Sequence, residues 1–184
     1  MKKKIILTGA QGTGKSTVLK ELENEGWNVI TEVVRNLSKT GVKINEMGDA
    51  DGQRTIFEEY KRLFGTQTDY VSDRGLTDVA AYTNYLVCEG KIHPSVLWEQ
   101  LEDIDLFVLD NPDAIFCYFP IEFPVVDDGV RSTNEEFRNK VDGYIKNILD
   151  SRKIPYIEVR GTVEERVNLI KSHLNSNLLF KMDE

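Results

Sequence analysis

The chain has 184 residues, 40% of them hydrophobic and 29% charged, the make-up of an ordinary globular domain and not of a disordered or collagen-like chain. A chain of this length buries enough apolar surface to fold without a disulfide or metal staple, so residues 1–184 read as one domain. Its 23 Lys and Arg against 31 Asp and Glu leave a net charge of −8, which argues against a nucleic-acid polymer as partner while leaving room for a local pocket that takes one nucleotide.

Residues 4–8 form a short apolar run fit for a buried strand, and the glycine-bearing residues 9–14 interrupt it. From Ser16 to Glu25 the positions Val18, Leu19 and Leu22 share one helical face, and Gly26 ends the element. Residues 27–31 read as a second strand, completing a βαβ opening. Residues 32–39 are helix-compatible, residues 40–51 read as a polar loop near the mouth of a site, and residues 53–64 return to helical spacing. A third strand is expected over 68–73, ending in Asp73, with a helix after it through Val79, Ala80, Tyr82 and Leu86. Residues 90–120 permit two arrangements. Strand-like runs at 106–109 and 114–119 allow a hairpin, but Val96, Leu97, Leu101, Ile104 and Phe107 keep helical spacing from His93-Pro94, so a helix ending before Pro112 and a strand over 114–119 is preferred. An amphipathic helix over 134–152, a strand over 154–159 and a helix from Val163 to about Leu178 complete the chain. Alternating strands and helices predict an α/β three-layer sandwich around a mostly parallel five-stranded sheet. Such sheets bind ligands at the carboxyl ends of their strands, where residues 9–16, 32–35 and 73–74 fall.

The segment Gly9-Ala10-Gln11-Gly12-Thr13-Gly14-Lys15-Ser16 matches GxxxxGK[ST] at every fixed position, between a predicted strand and a predicted helix. Glycines let backbone N–H groups curl around phosphate oxygens, and the helix that follows aims its positive end at the same anion. The expected cofactors are ATP and Mg²⁺. Gly9, Gln11, Gly12, Thr13 and Gly14 cradle phosphate, Lys15 reaches the β- and γ-phosphates and Ser16 ligates the metal. Thr17 is grouped with the loop on the cofactor side, although it also reads as a plain helix residue. The only Asn-Lys pair, Asn139-Lys140, is followed by Val141-Asp142 inside a predicted helix, so it is not read as a guanine-recognition loop. A kinase acting on a small molecule fits better than a switch GTPase or a DNA-dependent ATPase.

Glu32 just past the second strand and Asp73 at the end of the third are expected to project into one crevice. Asp73 is the metal-side candidate and Glu32 the substrate-side base, with a helix-capping role as the plainer alternative for each. Phosphoryl transfer spreads negative charge, so arginines are sought nearby. Arg35 lies within a turn of Glu32, Arg74 adjoins Asp73, and Arg131, three residues after Asp128, sits on a proline-flanked segment suited to a lid over the phosphates. Asp128 and Arg74 are taken as substrate-side positions, and Arg138 reads as a solvated helix face. His93 and His173 have no partner at metal-ligand spacing and read as structural, and Trp27, Tyr60, Tyr82 and Tyr85 read first as core. Cys88 and Cys117 form no CxxC pair and read as core thiols of a reducing compartment. The apolar run after the opening lysines stops at Leu7, and no stretch approaches a membrane span, so a cytoplasmic protein without a membrane partner is expected.

With these residues in hand, the chain resembles the ribosylnicotinamide kinase domain of the NadR family and the wider group of P-loop ATPase/kinase proteins around it. The likeness runs through the phosphate loop at 9–16, Glu32-Val33-Val34-Arg35, Asp73-Arg74-Gly75, residues 89–94, Asp127-Asp128-Gly129-Val130-Arg131-Ser132 and residues 154–158. It implies transfer of the ATP γ-phosphate to the 5′-hydroxyl of a nucleoside, with ribosylnicotinamide as first acceptor and Glu32, Arg35, Asp73 and Arg131 lining the crevice. Asp73-Arg74-Gly75 is closer to the wider group and to deoxynucleoside kinases. A deoxynucleoside or nucleoside monophosphate kinase is therefore the alternative, and an ATP-binding regulatory module the rival of another class. With the phosphate loop starting at residue 9, phosphorylation without the adenylylation of bifunctional family members is expected, and a homo-oligomer is compatible with it.

Overall fold

The computed structural model describes residues 3–124 and 133–179. Strand β1 (Lys4–Thr8) leads through the glycine loop into helix α1 (Lys15–Asn24), then β2 (Val29–Ile30), α2 (Val33–Lys39), α3 (Ala50–Thr66), β3 (Tyr70–Asp73) and α4 (Leu76–Cys88). After these come α5 (Pro94–Asp110), β4 (Ile115–Tyr118), α6 (Glu135–Ser151), β5 (Tyr156–Glu158) and α7 (Val163–Leu179). The strands lie in the order β2-β3-β1-β4-β5, and every ladder is parallel.

The pleat of β1 sorts its side chains between two cores. Ile5 and Leu7 join Val18 and Leu22 of α1 and Ile170 and Leu174 of α7 on one face. Ile6 joins the larger cluster on the other face, with Phe57, Tyr60, Leu86, Phe137 and Ile145 from α3, α4 and α6. The result is the three-layer arrangement expected for strands buried on both sides.

The ambiguous stretch after residue 90 resolves as the helix. Pro94 stands at its first turn, and the His93 side chain accepts the Ser95 amide N–H at 3.2 Å, so the start is capped in a way a hairpin lacks. His93 is thus structural, as expected. The polar loop at 40–51 is shorter than read from the sequence. It contains a 3₁₀ turn at Asn45–Met47 and ends where Asp49 caps α3 by accepting the Gly52 N–H at 2.9 Å. The two thiols differ: Cys117 is buried in β4, where burial pushes its pKa up, but Cys88 is exposed and not a core thiol. Cys88 is the last residue of α4, where its thiol donates to Asn84 Oδ1 at 3.7 Å. No helix among the described residues is long and apolar enough to cross a membrane.

Candidate active site

Two glycines explain why the loop after β1 takes its path. Gly9 has φ +145°, and a Cβ there would meet the Phe119 carbonyl oxygen at 2.4 Å, so the loop leaves the sheet hard against the end of β4. Gly14, at φ +89°, precedes α1, and a Cβ there would meet Arg166 Nη1 at 2.7 Å. Only glycine fits either position without a shift. Lys15, 4% exposed, folds back under the loop and donates to the carbonyls of Gly9 (2.7 Å) and Ala10 (2.6 Å) and to Thr13 Oγ1 (3.1 Å). Ser16 Oγ donates to Asp73 Oδ2 at 2.7 Å, bringing together the two residues read as the metal side although they are far apart in the chain. Their hydroxyl and carboxylate are hard oxygen donors of the kind Mg²⁺ takes one or two of, alongside water and phosphate oxygens.

The strand ends meet as the parallel sheet requires. A cleft of about 420 Å³ runs from the loop residues, Ser16 and Thr17, past Asp73 and Arg74, to Phe123, Pro124 and residues 161–163. Thr17 is exposed on α1 along its wall. A second pocket of about 100 Å³ shares Gln11, Ser16, Asp73 and Arg74 with it and is closed on the far side by Glu32 and Arg35. Arg35 Nε pairs with Glu32 at 3.1 Å, so the two side chains meet on one turn. Glu32 occupies the N-cap position of α2, although its side chain makes no capping bond. Both Glu32 (φ +59°) and Arg74 (φ +79°) hold left-handed backbone that non-glycine residues seldom adopt.

Arg74 stacks its guanidinium 5.3 Å from the centroid of Tyr82, and its Nη1 lies 3.8 Å from Asp78 Oδ1. That buried Nη1 donates no hydrogen bond to any described residue. Burial works against its charge, but Tyr82, Asp78 and Asp73 around it hold its pKa above the ordinary arginine value. A small apolar recess lined by Val34, Ile44, Gln53, Ile56, Val79 and Tyr82 opens beside it. Tyr60 also belongs here: its hydroxyl donates to the Asp73 carbonyl at 3.0 Å, so it supports the strand end rather than serving only as core.

An AAA-domain family profile matches residues 4–166, most of the chain. The chain belongs to the AAA-domain family. No curated protein sequence matches it. Among solved structures, the AAA domain is similar to deoxyadenosine kinase of M. mycoides with bound dATP, at 16% identity and a TM-score of 0.66 over 95% of this chain and 100% of that one. It is similar to NadR protein in complex with NR at 16% identity and a TM-score of 0.65, covering 87% of this chain but 46% of that one. Thymidylate kinase from Candida albicans matches at 16% identity and a TM-score of 0.57, covering 96% and 92%. These likenesses establish the P-loop NTPase/kinase fold.

Three residues that matter to this AAA domain were misread or passed over in the sequence. Arg138 is not a solvated helix face. It is 1% exposed, and its guanidinium donates to the carbonyls of Gln11 (2.9 Å) and Gly12 (3.3 Å). Arg166, 2% exposed on α7, donates to the Thr13 carbonyl at 2.7 Å. Asp78, fully buried on α4, accepts the N–H groups of Gly9 and Gly75, each at 3.1 Å, and so ties the phosphate loop to the β3–α4 turn. Burial raises its pKa against the opposing pull of Arg74 and Lys15. A signal for the arginines existed: Arg138 is spaced with Val141 and Ile145, and Arg166 with Ile170 and Leu174, on the buried helix faces. The Asn139–Asp142 sequence lies within α6, where Asp142 accepts the Tyr118 hydroxyl at 2.8 Å. Asp128 and Arg131, expected on the substrate and cofactor sides, and the lid they were assigned to lie outside the described residues.

Proposed function

We propose that this chain is an ATP-dependent kinase that transfers the γ-phosphate to the 5′-hydroxyl of a nucleoside, a deoxynucleoside in first place. The observation that carries this reading is the junction of the two pockets at Asp73 and Arg74, with Ser16 on one side and Glu32–Arg35 on the other. The large cleft takes the ATP, its phosphates in the glycine loop and on Lys15. Ser16 and Asp73 would hold Mg²⁺, which would neutralise charge on the phosphate oxygens. Glu32 accepts the proton of the attacking hydroxyl, Arg74 directs its uncommitted Nη1 hydrogens to the transferred group, and ADP leaves. The apolar recess beside Arg74 takes the base.

One comparison favours a deoxynucleoside over ribosylnicotinamide, which the family resemblance put first, and the charge pairing of the acceptor pocket bears on the monophosphate alternative. Arg35 of the acceptor pocket is paired with Glu32, which suits a neutral acceptor better than a monophosphate. The deoxyadenosine kinase is matched over its whole length, whereas NadR is matched over less than half. The test is an acceptor screen: the chain, γ-labelled ATP and Mg²⁺ with deoxynucleosides, ribonucleosides, ribosylnicotinamide and nucleoside monophosphates. Label on a deoxynucleoside supports this reading, and label on ribosylnicotinamide alone returns the protein to nicotinamide salvage. ATP binding with no labelled product in any well points to the regulatory-module alternative.

A further inference from the structure

A trans peptide is planar, so the carbonyl of one residue and the N–H of the next point in opposite directions. Whatever holds the carbonyls of a phosphate loop therefore also decides where its amides aim. Here three consecutive carbonyls, those of residues 11, 12 and 13, are held by guanidiniums from two different helices. Arg138 of α6 takes the first two, and Arg166 of α7 takes the third while also donating to the Gly161 carbonyl at 2.8 Å.

We propose that Arg138 and Arg166 form a clamp that positions the phosphate loop, turning the N–H groups of Gly12, Thr13 and Gly14 onto the polyphosphate. It rests on the loop holding a polyphosphate and not on the identity of the acceptor. Stability alone is a poor reason for this arrangement, because burying a cation costs more than an incompletely buried partner returns. Arg138 is 1% exposed at its side chain, yet the carboxylate beside it, Glu135 at 3.2 Å, is 50% exposed. The guanidinium, faced by Glu135 and within the electrostatic reach of Asp142, stands behind the loop, where it adds to the field felt by an anion in front. Arg166 is better neutralised, by Glu122, and its guanidinium is packed between Phe119 and Phe123 at 5.5 and 5.3 Å from the ring centroids. Arg138 lines neither the cleft nor the acceptor pocket, so it acts through the loop, whereas Arg166 also borders the cleft.

Inorganic tripolyphosphate is the probe, titrated into the intact chain and its Arg138→Met and Arg138→Lys variants well below their melting temperatures. The ¹⁵N–¹H shifts of Gly12, Thr13 and Gly14 are followed alongside calorimetry. The expected result is that Arg138→Met binds at least about tenfold more weakly. Its three amides move less at saturation, guanidinium at sub-denaturing concentration restores part of the affinity, and Arg138→Lys falls between. A folded Arg138→Met that binds tripolyphosphate like the unmodified chain overturns the clamp. Should that variant not fold, unchanged affinity in both Arg138→Lys and Arg166→Lys overturns it equally. Failure of the unmodified chain to bind tripolyphosphate or ATP overturns the functional reading itself, and the clamp with it.

Discussion

The two halves of the site are built to different tolerances. On the phosphate side, the loop is held from every direction: Lys15 beneath it, Asp78 on the Gly9 amide, and Arg138 and Arg166 on consecutive carbonyls, all from buried side chains. On the acceptor side, Glu32 and Arg35 are paired but 46% and 38% exposed at their side chains, and the stretch between α2 and α3 carries a 3₁₀ turn and a left-handed Asn45. Polyphosphate geometry is the same for every reaction such a loop serves, so a rigid, fully bonded cradle has no disadvantage. An acceptor differs from enzyme to enzyme, and it is met by short helices and loops that tolerate change. The comparison explains why the donor chemistry is easier to read from this chain than the acceptor.

The largest effect that would sharpen the contrast is expected from Lys15→Ala. Phosphoryl transfer should be lost almost completely, and a rate within about tenfold of the unmodified chain would reduce Lys15 to a loop support. Next come the two carboxylates that line the smaller pocket, Glu32 and Asp73. Glu32→Gln should lower kcat by roughly 10²–10⁴ with little change in the KM for ATP, as removal of a general base does. Asp73→Asn should lower kcat by a similar order and raise the Mg²⁺ concentration needed for half-maximal rate. Unchanged kcat in either variant, with the fold intact, removes that residue from the chemistry.

Asp78→Asn probes the rigid half through stability rather than rate. An amide cannot accept both N–H groups as the carboxylate does, and one buried donor left unpaired costs about 1–3 kcal/mol in denaturant unfolding. A loss near zero would show that the loop is less tightly held than its hydrogen bonds indicate. The smallest effect belongs to the acceptor side. Asp49→Ala removes the cap of α3 and should cost about 1 kcal/mol. Its pKa is lowered, first by the Lys43 ammonium at 2.9 Å and then by the Gly52 amide. That contribution is therefore present above the ordinary aspartate value and disappears as pH falls through the lowered one. In acid titrations of stability, the difference between the unmodified chain and Asp49→Ala should hold above that acidic window and shrink as pH falls through it.

How much of this could be read beforehand follows the range of the interactions. The glycine loop, α1 and the start of α5 were legible because glycine spacing, helical periodicity and Pro94 act within one or two turns. The meeting of Ser16 with Asp73 was legible too, since a parallel sheet sends every strand's carboxyl end to the same edge. Cys88 was misjudged because periodicity marks a helix face but not how far each residue at the helix end is covered. Arg138 was misjudged because its charge outweighed its place on the apolar stripe. Its role depends on α6 lying against a loop more than a hundred residues earlier.

By itself, then, the sequence determined the alternation of strands and helices, the phosphate loop, and the carboxylates that end its strands. All of these are set by local sterics, by period, and by the single direction of a parallel sheet. Only the tertiary structure decided which buried charges support that loop and how Arg74 is held between Tyr82 and Asp78. Those depend on which helix faces are pressed together, and a desolvated guanidinium takes its partner from whatever carbonyl the packing brings within reach.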